Sequence, residues 1–302
     1  MTKTVSLCTE WTEPDIYGQV HPVETPALLD EAIEEFDRQV LVLLEEEEED
    51  NTAKTVVHLR QAQEKCPELL TRDFKLMFLR CDCFRVPDAV KRFAKFWDMK
   101  VDFFGSTRAW QPISMDLLEE QDQVPLQQLK LVRLLPQKDP TGRQILFMQA
   151  NRQHWDQMTP SSAARAVAYV VMAALQDDVV TQCKGLVVMM YLKGETSSQF
   201  NRKFIALLLQ AIKGAIPVRL SAAHQIHPQI FLRLIWPMLK LLLDKRMMAR
   251  LPIFAGDTEQ VLAALSKYGY SKSMLPTEMG GDVELDDYFD EWLEQRRQIE
   301  GK

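Results

Sequence analysis

IPVRLSAAHQIHPQIFLRLIWPMLKLLLDKRMMARLPIFAG, residues 216–256, is the stretch that decides the fold. It starts with a strand-like run, Val218–Gln225, and continues into Pro228–Leu243, which is apolar nearly all the way round. Its charges Arg233 and Lys240 are seven residues apart, so they share one narrow line along a helix. A bilayer crossing takes about 20 apolar residues, so this shorter, charged run is not expected to cross one. Two interpretations remain open: a helix buried between other layers, or a helix that covers an apolar chamber and can touch a membrane.

Strands and helices alternate on the N-terminal side of this stretch. Residues 129–135 and 144–150 read as a hairpin around the turn Asp139-Pro140-Thr141-Gly142. Residues 185–192 are continuously apolar, which indicates a strand buried on both faces of a mostly parallel sheet. The pair Thr159-Pro160 predicts the start of a helix rich in small residues, which either packs closely or leaves space for a guest molecule. A further buried strand is expected at Leu251–Ala255, followed by a helix that starts with a capping box at Asp257. The pattern predicts an α/β fold.

The N-terminal third reads as a tail followed by helices. Residues 1–24 have no periodicity, and from Thr25 onward apolar residues repeat at helical spacing. We therefore predict a tail over 1–24, an all-helical lobe over 25–110, an α/β domain over 117–282 and an acidic tail or helix over 283–302.

The net charge of −7 is unevenly distributed. Residues 24–50 hold twelve acidic residues and one basic residue, whereas residues 51–281 hold 31 basic and 20 acidic residues. A basic body can bind anionic headgroups, at about 1 kcal/mol per basic residue near the surface. The alternative is that the acidic ends and the solvent simply balance these charges. No aromatic-interleaved basic run is present, so nucleic acid is not an expected partner.

Catalytic and metal-binding signatures are missing from the sequence. It contains no GxGxxG, GxxxxGK[ST], GxSxG or HExxH motif, so we expect no enzyme and no cofactor. Neither Cys81-x-Cys83 nor His224-x-x-His227 has a complete ligand set, and no metal site is predicted. The start of the chain has no apolar signal region, and the five cysteines have no paired spacing, which suits reduced thiols in the cytoplasm.

Ordered landmarks then suggest a family. IPVRL, HPQIF, WPML, ARLPIFAG and LPTEMGG follow one another between residues 216 and 281, preceded by Phe78-Leu79-Arg80 and His154-Trp155-Asp156. In this order they resemble the CRAL-TRIO lipid-binding domain of the tocopherol-transfer, retinaldehyde-binding and yeast-type phosphatidylinositol-transfer proteins. The resemblance implies a mixed, mostly parallel sheet that floors an apolar cavity, with the helix after the HP-type turn as a mobile gate and a small all-helical lobe in front.

The same resemblance implies site residues. Three basic residues after the gate resemble the patch that contacts phosphoinositide membranes in tocopherol-transfer-type members: Lys245, Arg246 and Arg250. Each cavity position is equally compatible with ordinary core packing, and two of them, Tyr169 and His224, are expected to supply polar selectivity. The implied cavity lining is Tyr169, Ala173, Leu186, Val188, Met190, Leu208, Ile212, Leu220, His224, Phe231 and Ile235.

These observations predict a lipid-binding and lipid-transfer protein. We expect a cytoplasmic monomer, peripherally associated with anionic membranes, that holds one hydrophobic small molecule or phospholipid in a gated cavity. The alternative is a lipid-sensing regulatory or scaffold module that presents a surface, such as the acidic 24–50 segment, to a protein partner without shuttling lipid.

Overall fold

The computed structural model describes residues 7–8, 20–45, 53–176, 178–229, 237, 248 and 250–301. Its first helix begins as the sequence predicts, because the Thr25 side-chain oxygen accepts a hydrogen bond from the Leu28 amide at 3.2 Å. No helix in the described part of the chain combines the length and hydrophobicity that a bilayer crossing requires. The N-terminal helices are α1 (Pro26–Glu45), α2 (Ala53–Lys65), α3 (Arg72–Cys81) and α4 (Val86–Arg108).

Aromatic side chains form the centre of this helical lobe. The rings of Phe74 and Phe78 meet edge to face at 5.2 Å, and Phe78 meets Phe93 at 5.1 Å. Such pairs stabilise a fold by about 0.5–1.5 kcal/mol beyond the area they bury. The same hydrophobic cluster continues without a break to one face of the sheet. The domain limits read from the sequence therefore stay predictions.

The sheet has five strands in the order β1-β2-β3-β4-β5. β1 pairs antiparallel with β2, as the predicted hairpin requires, and every other pair is parallel. The predicted mixed, mostly parallel sheet is confirmed. The strands are β1 (Val132–Leu134), β2 (Gln144–Gln149), β3 (Leu186–Tyr191), β4 (Leu220–Ile226) and β5 (Ile253–Phe254).

One strand prediction was wrong in detail. The run Leu251–Ala255 was expected to form a strand buried on both faces, but only Ile253 and Phe254 pair with β4. Ile253 is 49% exposed and Phe254 is buried, so β5, the last strand of the sheet, is not buried on both faces.

Helices cover both faces of the sheet. α6 (Pro160–Gln176) and α8 (Arg202–Gly214) lie on the face that continues into the helical lobe, and α9 (Thr258–Ser266) packs on the opposite face. The predicted start of α6 is confirmed, since the Ser162 amide donates to the Thr159 hydroxyl at 3.0 Å. The capping box at Asp257 is confirmed as well. The helices are α5 (Glu120–Gln123), α6 (Pro160–Gln176), α7 (Val179–Lys184), α8 (Arg202–Gly214), α9 (Thr258–Ser266) and α10 (Leu285–Ile299).

An irregularity in β4 changes which side chains share a face. Leu186 pairs with Leu220, but the next residue, Val187, pairs with Ala222. Ser221 is therefore an extra residue in β4, and a β-bulge of this kind shifts the alternation by one position. Leu220 lies on the same face as Ala223 for this reason.

The C-terminal helix α10 belongs to the folded core. Phe289 and Leu293 are buried against the cluster shared with the helical lobe. The Glu300 carboxylate accepts a hydrogen bond from the Tyr169 hydroxyl on α6 at 3.0 Å. Asp286, at the start of α10, forms a two-oxygen contact with Arg152 at 2.8–3.0 Å.

Candidate functional site

An apolar cavity of about 210 Å³ lies between the sheet and α8. Its floor comes from alternate residues of three parallel strands, which point to one side of the sheet. Its walls come from α6, α8 and Leu251, which lies two residues before β5. The apolar lining is Leu146, Met148, Val167, Val188, Met190, Leu192, Phe200, Phe204, Ile205, Leu208, Leu209, Ile212, Leu220, Ala223 and Leu251.

α8 forms a wall because its apolar residues recur at helical spacing. Asn201 caps the helix by accepting the Phe204 amide at 3.1 Å, and Phe204, Leu208 and Ile212 follow on one stripe. Trp155 supports this wall: its ring lies 5.3 Å from that of Phe204, and its indole nitrogen donates to a backbone carbonyl at 2.7 Å.

Only four polar side chains join the described lining: Gln153, Glu195, Asn201 and Gln225. Gln153 follows β2 and Glu195 follows β3, so both belong to the carboxyl ends of the parallel strands, where open α/β sheets bind ligands. Burial raises the pKa of the Glu195 carboxyl to about 7. No side-chain hydrogen bond or ion pair reaches that carboxylate among the described residues. The cavity therefore disfavours a second negative charge close to Glu195.

Five of the predicted cavity residues are brought together in the lining: Val188, Met190, Leu208, Ile212 and Leu220. Leu186 lies on the same face of β3, in the hydrophobic cluster beside the cavity. Phe231 and Ile235, like most of the predicted gate Pro228–Leu243, lie outside the described residues.

Three predicted residues are placed away from the described lining. Tyr169 is fully buried on α6, where its ring faces Trp292 and its hydroxyl reaches Glu300. Ala173 is fully buried one turn further along α6. His224 lies on the opposite face of β4, with its ring stacked on Phe254 at 5.1 Å, and burial lowers its pKa to about 4. The bulge at Ser221 separates the face of His224 from that of Leu220.

Of the predicted membrane residues, only Arg250 lies in the described part of the chain. Its guanidinium donates to the Leu220 carbonyl at 3.1 Å, and its own carbonyl accepts the Ala223 amide at 2.7 Å. Lys245 and Arg246 lie outside the described residues. Sequence reasoning missed Phe204 and Glu195 as lining residues. The helical stripe with Leu208 and Ile212 could have indicated Phe204, but no sequence signal marks Glu195.

One group of three residues in the described chain brings metal-ligand atoms together: His21, Glu24 and Cys183. None of the three lines the cavity, and the group includes neither Cys81-x-Cys83 nor His224-x-x-His227.

Comparisons with known proteins agree with this geometry. The family model of the CRAL/TRIO domain matches residues 130–281, half of the chain. Tyrosine-protein phosphatase non-receptor type 9 is 28% identical over 153 residues in Mus musculus and in Homo sapiens. That alignment covers 51% of this chain and 24% of each relative, so the chain matches about a quarter of their length.

A solved structure extends the likeness beyond residues 130–281. The crystal structure of Sfh5 superposes with a TM-score of 0.51 at 9% identity and covers 92% of this chain and 100% of that one. At this identity the likeness concerns the fold alone. Because the family model spans half of the chain and includes three strands of the cavity floor, the chain belongs to the CRAL/TRIO domain family of lipid-binding proteins.

Proposed function

We propose that the protein binds one hydrophobic molecule in the cavity between the sheet and α8 and transfers it between membranes. The observation that carries this proposal is the lining, in which fifteen of the nineteen described residues are apolar. Burying an alkyl chain there contributes about 0.8 kcal/mol per methylene group. Affinity thus comes from the walls, and selectivity comes from a few polar groups.

The guest is proposed to carry an uncharged or hydrogen-bond-donating head. Glu195 is the one ionisable side chain in the described lining, and burial already disfavours its own charge. An anionic head beside it would add repulsion at low dielectric.

The segment Pro228–Leu243 is proposed to act as the gate. Gln225, three residues before this segment, and Leu251, eight residues after it, both line the cavity. The described cavity volume of 210 Å³ is below the range of about 300–1,000 Å³ usual for sites that enclose small ligands. A lipid-sized guest therefore requires the cavity to widen, and opening of the proposed gate is the movement that we expect to widen it.

Docking on anionic membranes is proposed to use Lys245, Arg246 and Arg250. Each basic residue near a membrane surface contributes about 1 kcal/mol. Reversal of Lys245 and Arg246 to glutamate should then weaken binding to phosphatidylserine vesicles by at least about 2 kcal/mol, or roughly 30-fold. The matched control reverses two exposed lysines elsewhere, Lys91 and Lys267, at the same cost in net charge.

The carrier function is tested by two measurements on the full chain. Native mass spectrometry of protein purified from its own cells should show one bound hydrophobic molecule, and the protein should move that molecule from donor to acceptor vesicles. Substitution of Leu208 by aspartate places a charge in the cavity and should abolish both signals. Normal transfer by this variant, with its fold intact, would refute the cavity as the binding site.

A lipid-sensing module that contacts a protein partner is the second candidate. Leu41 and Val42 on α1 are 57% and 43% exposed, and they lie within the acidic 24–50 segment. The aligned region makes up about a quarter of the phosphatase relative, which supports the proposal that such a domain can serve as one part of a longer protein. Ligand binding without vesicle transfer would favour this function over the carrier.

A further inference from the structure

A compact group of three buried side chains, His21, Glu24 and Cys183, connects the N-terminal segment to the body of the protein, and Cys8 lies next to it. The Glu24 amide donates to the Cys8 carbonyl at 3.0 Å, and the Cys8 amide donates to Glu24 Oε2 at 3.1 Å. These contacts hold the Cys8 backbone beside Glu24. Cys183, on α7, completes the group, and all four residues are at most 7% exposed.

The distances between the donor atoms suit a tetrahedral metal ion. Glu24 Oε1 lies 3.4 Å from His21 Nε2 and 3.3 Å from Cys183 Sγ, and the three atoms lie within 4.8 Å of one another. Zinc bound at about 2.0–2.3 Å from nitrogen, oxygen and sulfur sets neighbouring ligands roughly 3.3–3.8 Å apart. The Cys8 thiol is hydrogen-bonded to the Cys183 thiol, so a fourth sulfur ligand adjoins one member of this group of three.

The ligand types of the cluster also suit zinc. Zinc takes neutral imidazole, carboxylate and thiolate ligands, and it displaces thiol protons when it binds.

Arg80 completes the charge balance. Its Nε and one terminal nitrogen contact the two Glu24 oxygens at 2.9 and 3.0 Å, and its other terminal nitrogen donates to Gln182 at 2.7 Å. Carboxylates that bind metals are commonly held by such outer hydrogen bonds. Two thiolates and one carboxylate carry three negative charges, which a zinc ion and one arginine neutralise together. A buried cluster without net charge is the arrangement that low dielectric favours.

We propose that Cys8, His21, Glu24 and Cys183 bind one zinc ion, with Arg80 orienting the glutamate. The ion fixes the N-terminal segment to α3 and α7, and none of its ligands lines the cavity. Its role is structural, since all four protein ligands fill a tetrahedral shell and no position remains open for water or substrate.

The test measures metal bound by the full chain under reducing conditions. The protein is incubated with Zn²⁺, desalted and analysed for metal per chain. Co²⁺ in place of Zn²⁺ should give a thiolate-to-metal charge-transfer band. Cys8→Ser and Cys183→Ser should each weaken Zn²⁺ binding by at least about 100-fold, the upper end of the effect of losing an outer partner. The matched control is Cys66→Ser, a buried thiol outside the cluster whose hydrogen bond to the Ala62 carbonyl a serine retains.

The expected result is one zinc per chain in the wild type and in Cys66→Ser, with loss in the other two variants. Less than about one zinc in ten wild-type chains, or a Co²⁺ complex without the thiolate band, would overturn the proposal whether or not the variants fold. Zinc retained by both cluster variants, or a Cys8–Cys183 disulfide in reduced protein, would overturn it as well.

Discussion

Two adjacent alanines in β4 provide the sharpest test of the cavity. Ala223 lines the cavity, whereas Ala222 is fully buried on the opposite face, the side of Ile226. Ala223→Leu adds three carbon groups that enter existing apolar space. At about 0.8 kcal/mol per group, the gain in free energy of unfolding has an upper limit of about 2.4 kcal/mol.

Ala222→Leu is the matched control, since it adds the same atoms one residue away. Its face of the sheet is filled by side chains, so the extra carbons strain the core. Overpacking of this kind destabilises a protein by about 1–3 kcal/mol. The two substitutions are therefore expected to change stability in opposite directions.

Urea unfolding of delipidated protein measures both effects, and an unchanged slope with urea shows that the unfolding transition is comparable. Filling the space should also lower the affinity for the natural guest, because about three methylene groups of the guest lose their contacts with the cavity. That loss corresponds to roughly 60-fold in affinity, measured as guest occupancy by native mass spectrometry. Equal destabilisation by Ala223→Leu and Ala222→Leu would show that no usable space lies behind β4, and the cavity reasoning would fail.

Three further predictions concern charge and backbone. Burial raises the pKa of Glu195 from 4.5 to about 7, so the contribution of this group to stability is fully present below pH 4.5 and is lost as pH rises through 7. Glu195→Gln should remove this part of the pH dependence. Thermal unfolding at pH 8 should therefore show the variant to be more stable than the wild type. Gly185→Ala should lower the free energy of unfolding, measured in urea, by more than Gly105→Ala does. Both glycines have a positive φ, which costs an alanine about 1–2 kcal/mol, but of the two only Gly185 would place a Cβ 2.3 Å from a backbone carbonyl oxygen. Arg165→Met should cost about 3–5 kcal/mol by leaving Asp122 charged and buried, and the double variant with Asp122→Leu should recover most of that loss; a double variant as unstable as the single one would contradict the ion-pair explanation.

Local chemistry was sufficient for much of the fold. The turn at Asp139 accepts the Thr141 and Arg143 amides through its own side chain, so the hairpin could be read from four residues. The continuous apolar run of β3 indicated a central parallel strand, which pairs on both sides. The helix caps at Thr159 and Asp257 were equally local. Such features depend on neighbours in the chain, and the sequence contains those neighbours.

The cavity was only partly predictable, because the face on which a strand residue lies depends on how that strand pairs with its neighbour. Strict alternation places Leu220 and His224 together, but the extra residue Ser221 in β4 arises from pairing with β3 and separates them. Tyr169 likewise faces α10, which reads from the sequence only as an acidic end.

The sequence by itself determined the order of strands and helices and the family landmarks, because periodicity, turns and caps act over a few residues. Only the tertiary structure decided which side chains meet. Cys8, Glu24, Arg80 and Cys183 are far apart in the chain, and no local pattern connects them. Their contact comes from the packing of the N-terminal segment against α3 and α7, a long-range arrangement set by the burial of whole elements.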